Sequence, residues 1–278
     1  MILVTGASGQ LGSEVVSELG RLEIAHKGID IEDLDITDNA SVYDFMKRIK
    51  PEVVVHCAAY TAVDAAEDNE RLCLSINGDG TANLAQSCRD IGAKMLYIST
   101  DYVFDGKSHV PYEIDAPKYP LSVYGKSKLA GEDAVLSCLD RYFIVRVSWL
   151  FGENGSNFVK TMLRLAGGKK EICVVADQIG SPTYAADLAV LLCEMAMSEK
   201  YGVYHATNEG FCSWADFAEE IMRLSGSACR VNPIPSEDYP TKAVRPRNSR
   251  LSKSSLDGAG FDRLPSWQDA LGRFLKRL

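Results

Sequence analysis

No apolar run in the 278 residues approaches the ~20 that a membrane helix requires. The first residues turn into a glycine-rich loop by Gly6, so neither a membrane span nor a secretory leader is expected, and the expected compartment is the cytoplasm. Basic residues are also short: 30 Lys and Arg stand against 38 Asp and Glu, a net charge of −8 that repels polyanions and argues against nucleic acid as a partner. The 8 cysteines include no C-x-x-C pair, and several, such as Cys57 and Cys193, lie within apolar stretches. They read as small buried hydrophobes in a reducing compartment. The 4 histidines have no metal-ligand spacing, and the acidic stretch from Asp30 to Asp38 has Asp35 where a calcium loop needs glycine. No metal site is assigned.

What is present is a rhythm. Short apolar strands at Met1–Thr5, Ile24–Ile29, Val53–Val55, Lys94–Ser99 and Tyr142–Val147 alternate with helical spacing at Gln10–Leu19, Asp38–Ile49, Leu72–Ile91 and after Ser122. Strand, helix, strand with short connections implies a parallel sheet wound by right-handed crossovers, an α/β doubly wound architecture over residues 1–150. Beyond Trp149 the rhythm becomes irregular, and Pro233, Pro235, Pro240 and Pro246 predict an extended loop over 233–246. Residues 151–278 are expected to be mainly a smaller α/β substrate domain, with segments that cross back to the first.

The turn Thr5-Gly6-Ala7-Ser8-Gly9-Gln10-Leu11-Gly12 follows the first strand and opens the first helix. Glycine there permits a tight turn and close approach of backbone to a diphosphate, and the helix start adds free N–H groups, so the turn predicts a dinucleotide site. Asp30, at the end of the second strand, is placed to accept a hydrogen bond from an adenosine ribose, which favours NADH over NADPH. Ala58-Ala59-Tyr60 after the third strand allows the chain to pass close to the cofactor.

Tyr124 and Lys128 are four residues apart on a helix capped by Ser122, so they share one face. An ammonium beside a phenol favours phenolate, and the expectation is that Lys128 lowers the pKa of Tyr124 until it serves as acid–base catalyst for a carbonyl. Thr100, at the carboxyl end of the fourth strand, adds a hydrogen-bond donor at the edge where ligands bind. A second pair at this spacing, Tyr43 and Lys47, has no polar strand end beside it and reads as surface.

These residues sit in TGASGQLG (5–12), CAAYTAVDAAE (57–67), STDYVFDG (99–106), PLSVYGKSKLAGE (120–132), RVSWLFG (146–152), DQIGSPT (177–183) and RPRNSRL (245–251), with Ile76-Asn77 between. Together they resemble the extended short-chain dehydrogenase/reductase superfamily and, within it, the dTDP-4-dehydrorhamnose reductase family. The resemblance implies a Rossmann domain with a smaller sugar-nucleotide domain, and reduction of a dTDP-4-keto-6-deoxy sugar to dTDP-L-rhamnose with NADPH or NADH. It implies catalytic roles for Thr100, Tyr124 and Lys128. Cofactor contacts fall at Gly6, Gly9, Gln10, Leu11, Gly12, Asp30, Asp35, Ile36, Ala58, Ala59, Tyr60 and Ile98, with Tyr124 and Lys128 touching the nicotinamide ribose. Thr100, Asp101 and Trp149 match sugar-lining positions.

The basic run holding Arg245 and Arg250 has no acidic residue from 242 to 255 and is a candidate diphosphate clamp. The family leaves room for a homodimer and for a magnesium ion, which is not placed here. Two alternatives stand beside this expectation. One is an NADP-binding subunit similar to the regulatory subunit of methionine adenosyltransferase; the other is a reductase of a different 4-keto sugar nucleotide.

Overall fold

The apolar runs become parallel strands because both of their faces are covered. The computed structural model describes residues 1–278. β1 (Ile2–Thr5), α1 (Gln10–Arg21), β2 (His26–Ile29), α2 (Asn39–Ile49) and β3 (Val53–His56) follow in turn. Two short helices, α3 (Val63–Ala66) and α4 (Glu70–Leu74), then lead through a π-helical turn at Ser75–Asp79 into α5 (Gly80–Ile91). β4 (Lys94–Thr100), α6 (Val123–Cys138) and β5 (Tyr142–Val147) complete this half. The sheet has six strands, in the order Gly202–His205, β5, β4, β3, β1, β2, all parallel. The direction of winding changes between β1 and β3, and the ligand crevice of such sheets lies at that point, at the carboxyl ends. No helix is long and apolar enough to cross a membrane.

Side chains alternate across the strands. Ile2 and Val4 of β1 face Val15 and Leu19 of α1 and Leu188 and Leu192 of the helix Ala185–Met197, whereas Leu3 faces Phe45 and Met46 of α2 and Leu84 of α5. A third apolar cluster, with Phe151, Tyr184, Phe217 and Phe274, fills the region built by the helices Phe158–Ala166, Trp214–Ser225 and Trp267–Leu275. The helix Ala185–Met197 and Phe261 and Leu264 pack in the first cluster, so the chain returns to the sheet after leaving it at Trp149.

Two local expectations change. The single helix read over 72–91 is two helices joined by the π turn, where Asn77 is buried. The loop read over 233–246 begins inside a strand, Arg230–Ile234, which pairs with Glu171–Val175. Pro233 is tolerated because this sheet has only two strands, leaving one edge that needs no donor.

Arg146 interrupts the apolar sequence of β5 and is 1% exposed. Its guanidinium grips Glu132 of α6 with two bonds of 2.8 Å, Nε to Oε1 and Nη2 to Oε2, while Nη1 donates to the Ile114 carbonyl at 2.8 Å. Ser99 of β4 donates to the same carboxylate at 2.5 Å, and the Phe104 ring lies beneath the guanidinium. Strands β4 and β5 are thereby tied to α6. Replacing Glu132 by Gln removes a bidentate charge partner from a sealed site and is expected to lower stability by about 3–5 kcal/mol. Urea unfolding measures it, and a loss under about 1 kcal/mol contradicts this role for the pair.

Candidate active site

The glycine turn is shaped by contacts that no other residue permits. Gly6 has φ 66°, and a Cβ there would stand 2.7 Å from the Ala58 backbone nitrogen. At Gly12 a Cβ would stand 2.0 Å from the Gly6 carbonyl oxygen. The N–H of Gly9 closes the turn on that same carbonyl at 3.1 Å. Gly9 is also the N-cap of α1, so no side chain caps the helix, and its first turn carries no acid. Uncapped N–H groups and the positive end of the helix dipole make an anion cradle. α2, by contrast, is closed by Asp38, which accepts from Ala40 and Ser41.

The other expected cofactor residues divide. Leu11 is 5% exposed and points into the core, and the Gln10 side-chain oxygen accepts from Asn157 at 3.0 Å. Asp30 stands beside the turn, but its Oδ2 accepts from the Ser8 N–H at 3.0 Å. That bond gives one of the two carboxylate oxygens a structural partner. Asp35 is exposed and closes a local turn by accepting from Thr37, while Ile36 is buried against Gly80. Ala58, Ala59, Tyr60 and Ile98 are half-buried at or near the carboxyl edges of β3 and β4.

Asn77, in the π turn, grips Tyr60 on both sides: its Oδ1 accepts from the Tyr60 N–H at 2.8 Å and its Nδ2 donates to the Tyr60 carbonyl at 3.0 Å. The same Nδ2 donates to Ser127 Oγ at 2.9 Å, and Ser127 donates to the Tyr124 carbonyl at 2.7 Å. The loop after β3 and the start of α6 are therefore one hydrogen-bonded unit. Sequence reasoning had no role for Asn77 beyond its place in a motif; π turns recur at functional sites.

Ser122 caps α6 by accepting from Gly125 at 3.1 Å. Gly125 lets that first turn sit on the 101–103 segment, since a Cβ there would meet the Tyr102 carbonyl at 2.3 Å. This contact brings Tyr124 beside the end of β4, with its ring edge-on to Tyr102 at 5.5 Å. Thr100 donates to Asp101 Oδ1 at 3.0 Å and lies near enough to the phenol to favour its ionised form. Asp101 is 3% exposed, its Oδ2 has no partner, and burial pushes its carboxyl up to about 6. Lys128 is 3% exposed, with Nζ 4.2 Å over the Tyr97 ring, and burial pulls its pKa down to about 7.

One expectation is reversed. The pKa of Tyr124 is raised, because burial opposes phenolate more strongly than the Thr100 hydrogen bond favours it. The ammonium of Lys128 does not make the phenol acidic; burial weakens both charged forms. Tyr124 is thus held as the neutral phenol, the form that can give a proton. Tyr43 is 42% exposed with the Lys47 ammonium over its ring, a surface pair.

Trp149, two residues past β5, is half-buried with its indole flat on Trp214, centroids 3.6 Å apart. The basic run forms no free clamp. Arg245 donates to Asp64 at 2.7 Å, Arg247 pairs with Glu237, and Lys242 with Asp68. Arg250 donates to the Asn248 side chain and the His109 carbonyl. The carboxylates come from elsewhere in the chain, which is why a run without acids looked unpaired. The segment is instead stitched between two neighbours, Asn248 N–H to the Gly106 carbonyl and Ser249 N–H to the Ile179 carbonyl.

The family described as "RmlD substrate binding domain" matches residues 1–278. The chain belongs to that family. It is 46% identical to a dTDP-4-dehydrorhamnose reductase of Streptomyces griseus, over 97% of this chain and 91% of the relative. A dTDP-4-keto-6-deoxy-D-glucose reductase of Streptomyces niveus is 41% identical, over 97% of this chain and 94% of the relative. Among solved structures, the dTDP-4-dehydrorhamnose reductase of Bacillus anthracis in complex with NADP superposes with a TM-score of 0.97 at 43% identity, covering 100% of this chain and 99% of that one.

A lysine with its pKa near 7 in the fold and ~10.4 when unfolded binds fewer protons in the native state between those values. Stability from this group therefore rises with pH across that window, and below it the buried ammonium is a standing cost. In ligand-free protein, Lys128→Met is expected to raise Tm at pH 6 and to lose most of that advantage by about pH 9. A gap that is the same at both pH values contradicts the burial assigned to Lys128.

Proposed function

We propose that this protein reduces the 4-keto group of dTDP-4-dehydro-6-deoxy-L-mannose to give dTDP-L-rhamnose with NADPH or NADH. The observation that carries the reading is the gathering of Thr100, Tyr124 and Lys128 at the strand ends beside an uncapped glycine turn. The relatives named above support it.

The cradle fits a dinucleotide: Gly6 and Gly12 leave backbone where side chains would stand, and the first turn of α1 has N–H groups for a diphosphate. A bound nicotinamide supplies the hydride that reaches C4 of the sugar. Tyr124 gives its phenolic proton to the carbonyl oxygen, so that the ketone becomes a secondary alcohol. Thr100 hydrogen-bonds the same oxygen and holds it near the phenol. Lys128 would hold the nicotinamide ribose, and its ammonium form would favour the phenolate left behind only in part, against the desolvation that dominates in the ligand-free site.

We place Asp101 and Trp149 along the sugar. Arg245 and Arg250 we assign to tethering the site wall, since both have partners within the protein. We assign residues 1–150 to the cofactor half and the bulk of 151–278 to the substrate half, with Ala185–Met197 and Gly202–His205 returning to the sheet. The unpaired cysteines suit the cytoplasm.

The relative that acts on a dTDP-4-keto-6-deoxy-D-glucose supports a second reading, the same reduction on another 4-keto sugar nucleotide. A panel of such substrates, with product stereochemistry read by NMR, separates the two. Tyr124→Phe is expected to lower kcat by about 10²–10⁴-fold, with KM for both substrates within a few fold. NAD(P)H consumption with the keto sugar made in situ measures it. Undiminished turnover in the variant removes Tyr124 from the chemistry, and cofactor binding with no turnover on any sugar nucleotide favours the regulatory-subunit alternative.

A further inference from the structure

Trp149 is held in an unusual way. It has φ 51°, and the other two non-glycine residues with positive φ, Glu23 and Lys50, both lie just past helix ends. A bulky residue keeps a left-handed backbone only where its surroundings over-determine it. Here the surroundings are identifiable. One is Trp214, whose ring lies 14° from parallel with that of Trp149. Trp214 opens its own helix, and that helix start is fixed by a capping box in which Ser213 and Asp216 bond each other reciprocally. Phe158 packs on Trp214 at 4.5 Å. The other is Gly180, where a Cβ would stand 2.7 Å from the Trp149 ring.

A Cβ at Gly180 would also stand 3.1 Å from Ser249 Cβ, and Ser249 lies near the buried Asp101 carboxyl next to Thr100. Through β5, Val147 pairs with Thr100, and Trp149 is two residues further on. The held indole is therefore placed next to the reacting end of the site by the β4–β5 register and by the packing around Gly180.

We propose that Trp214 is a positioning residue: by stacking on Trp149 within the space left by Gly180, it sets the orientation in which that indole meets the 6-deoxyhexose of the substrate. The proposal rests on the reading of Trp149 as sugar-facing. A 6-deoxy sugar has a methyl group and an apolar C–H face that suit a rigid aromatic wall, and rigidity lowers the cost of ordering the wall on binding.

The test combines kinetics with circular dichroism. Trp214→Ala should raise KM for the keto sugar nucleotide by roughly 3–10-fold, with kcat and the KM for NADPH within twofold. Trp214→Phe, which keeps a flat ring, should restore most of that loss, and Gly180→Ala, which crowds the indole with Trp214 intact, should reproduce it. The excitonic band of two stacked indoles should be present in the wild type and in Trp267→Phe, and absent from Trp149→Phe and Trp214→Phe. Trp149→Ala is the control. If it raises the sugar KM while Trp214→Ala and Gly180→Ala do not, the positioning role is overturned; if it leaves the sugar KM unchanged, the sugar-facing reading of Trp149 fails, and the proposal with it. Absence of the band from the wild type overturns the stack itself. Should Trp214→Ala not fold, Trp214→Phe and Gly180→Ala still decide.

Discussion

An ion pair sealed inside the protein, Arg146 to Glu132, fixes the position of the helix that carries Tyr124 and Lys128. Glu132 lies two helical turns after Tyr124 and one after Lys128, so the bond that anchors α6 to β4 and β5 also fixes the helix face carrying both. Such a pair is costly unless every donor and acceptor is used. Here the carboxylate takes two guanidinium bonds and a serine hydroxyl, and the remaining guanidinium nitrogen reaches a backbone carbonyl and His205. The network restricts the geometry, which is what a reaction needing a phenol at one fixed place demands.

Burial then selects the protonation states. The Tyr124 phenol is held neutral, Lys128 titrates near 7, and Asp101 near 6. For the reduction proposed above this is a coherent set, because a proton donor must arrive with its proton and a lysine close to its pKa can respond to charge nearby. The pairing rule read from the helix spacing placed both residues on one helix face but named the wrong dominant force on the phenol. Attraction between ammonium and phenolate acts only after both charges exist, and desolvation opposes each of them first.

Much of the scaffold was legible in the sequence because the signals are local. The strands read as unbroken apolar runs, the glycine turn has steric needs no other residue meets, and Ser122, Tyr124 and Lys128 report a capped helix with one polar face. What was not legible is set by distant partners. Arg245 looked free because Asp64 lies far away in the chain, and the Ser8 N–H that donates to Asp30 cannot be seen in a sequence. Asn77 was hidden inside a stretch read as one continuous helix, where the π turn adds a residue that helical spacing alone does not announce. Trp214 carries no motif at all. A better signal was present in β5, where an arginine within an apolar strand requires a buried acid to exist elsewhere.

The scaffold has two parts that meet at the candidate site: the parallel sheet, which carries Thr100 and holds α6, and the third apolar cluster with the stitched segment 245–251. At the candidate site is a half-buried phenol whose pKa is raised above the ordinary tyrosine value. The most direct measurement is a pH titration of Tyr124 in the ligand-free protein by ¹³Cζ tyrosine NMR, the resonance assigned with Tyr124→Phe. The account expects this resonance to remain that of the neutral phenol past the ordinary tyrosine pKa of ~10. Ionisation of Tyr124 at or below that value contradicts it.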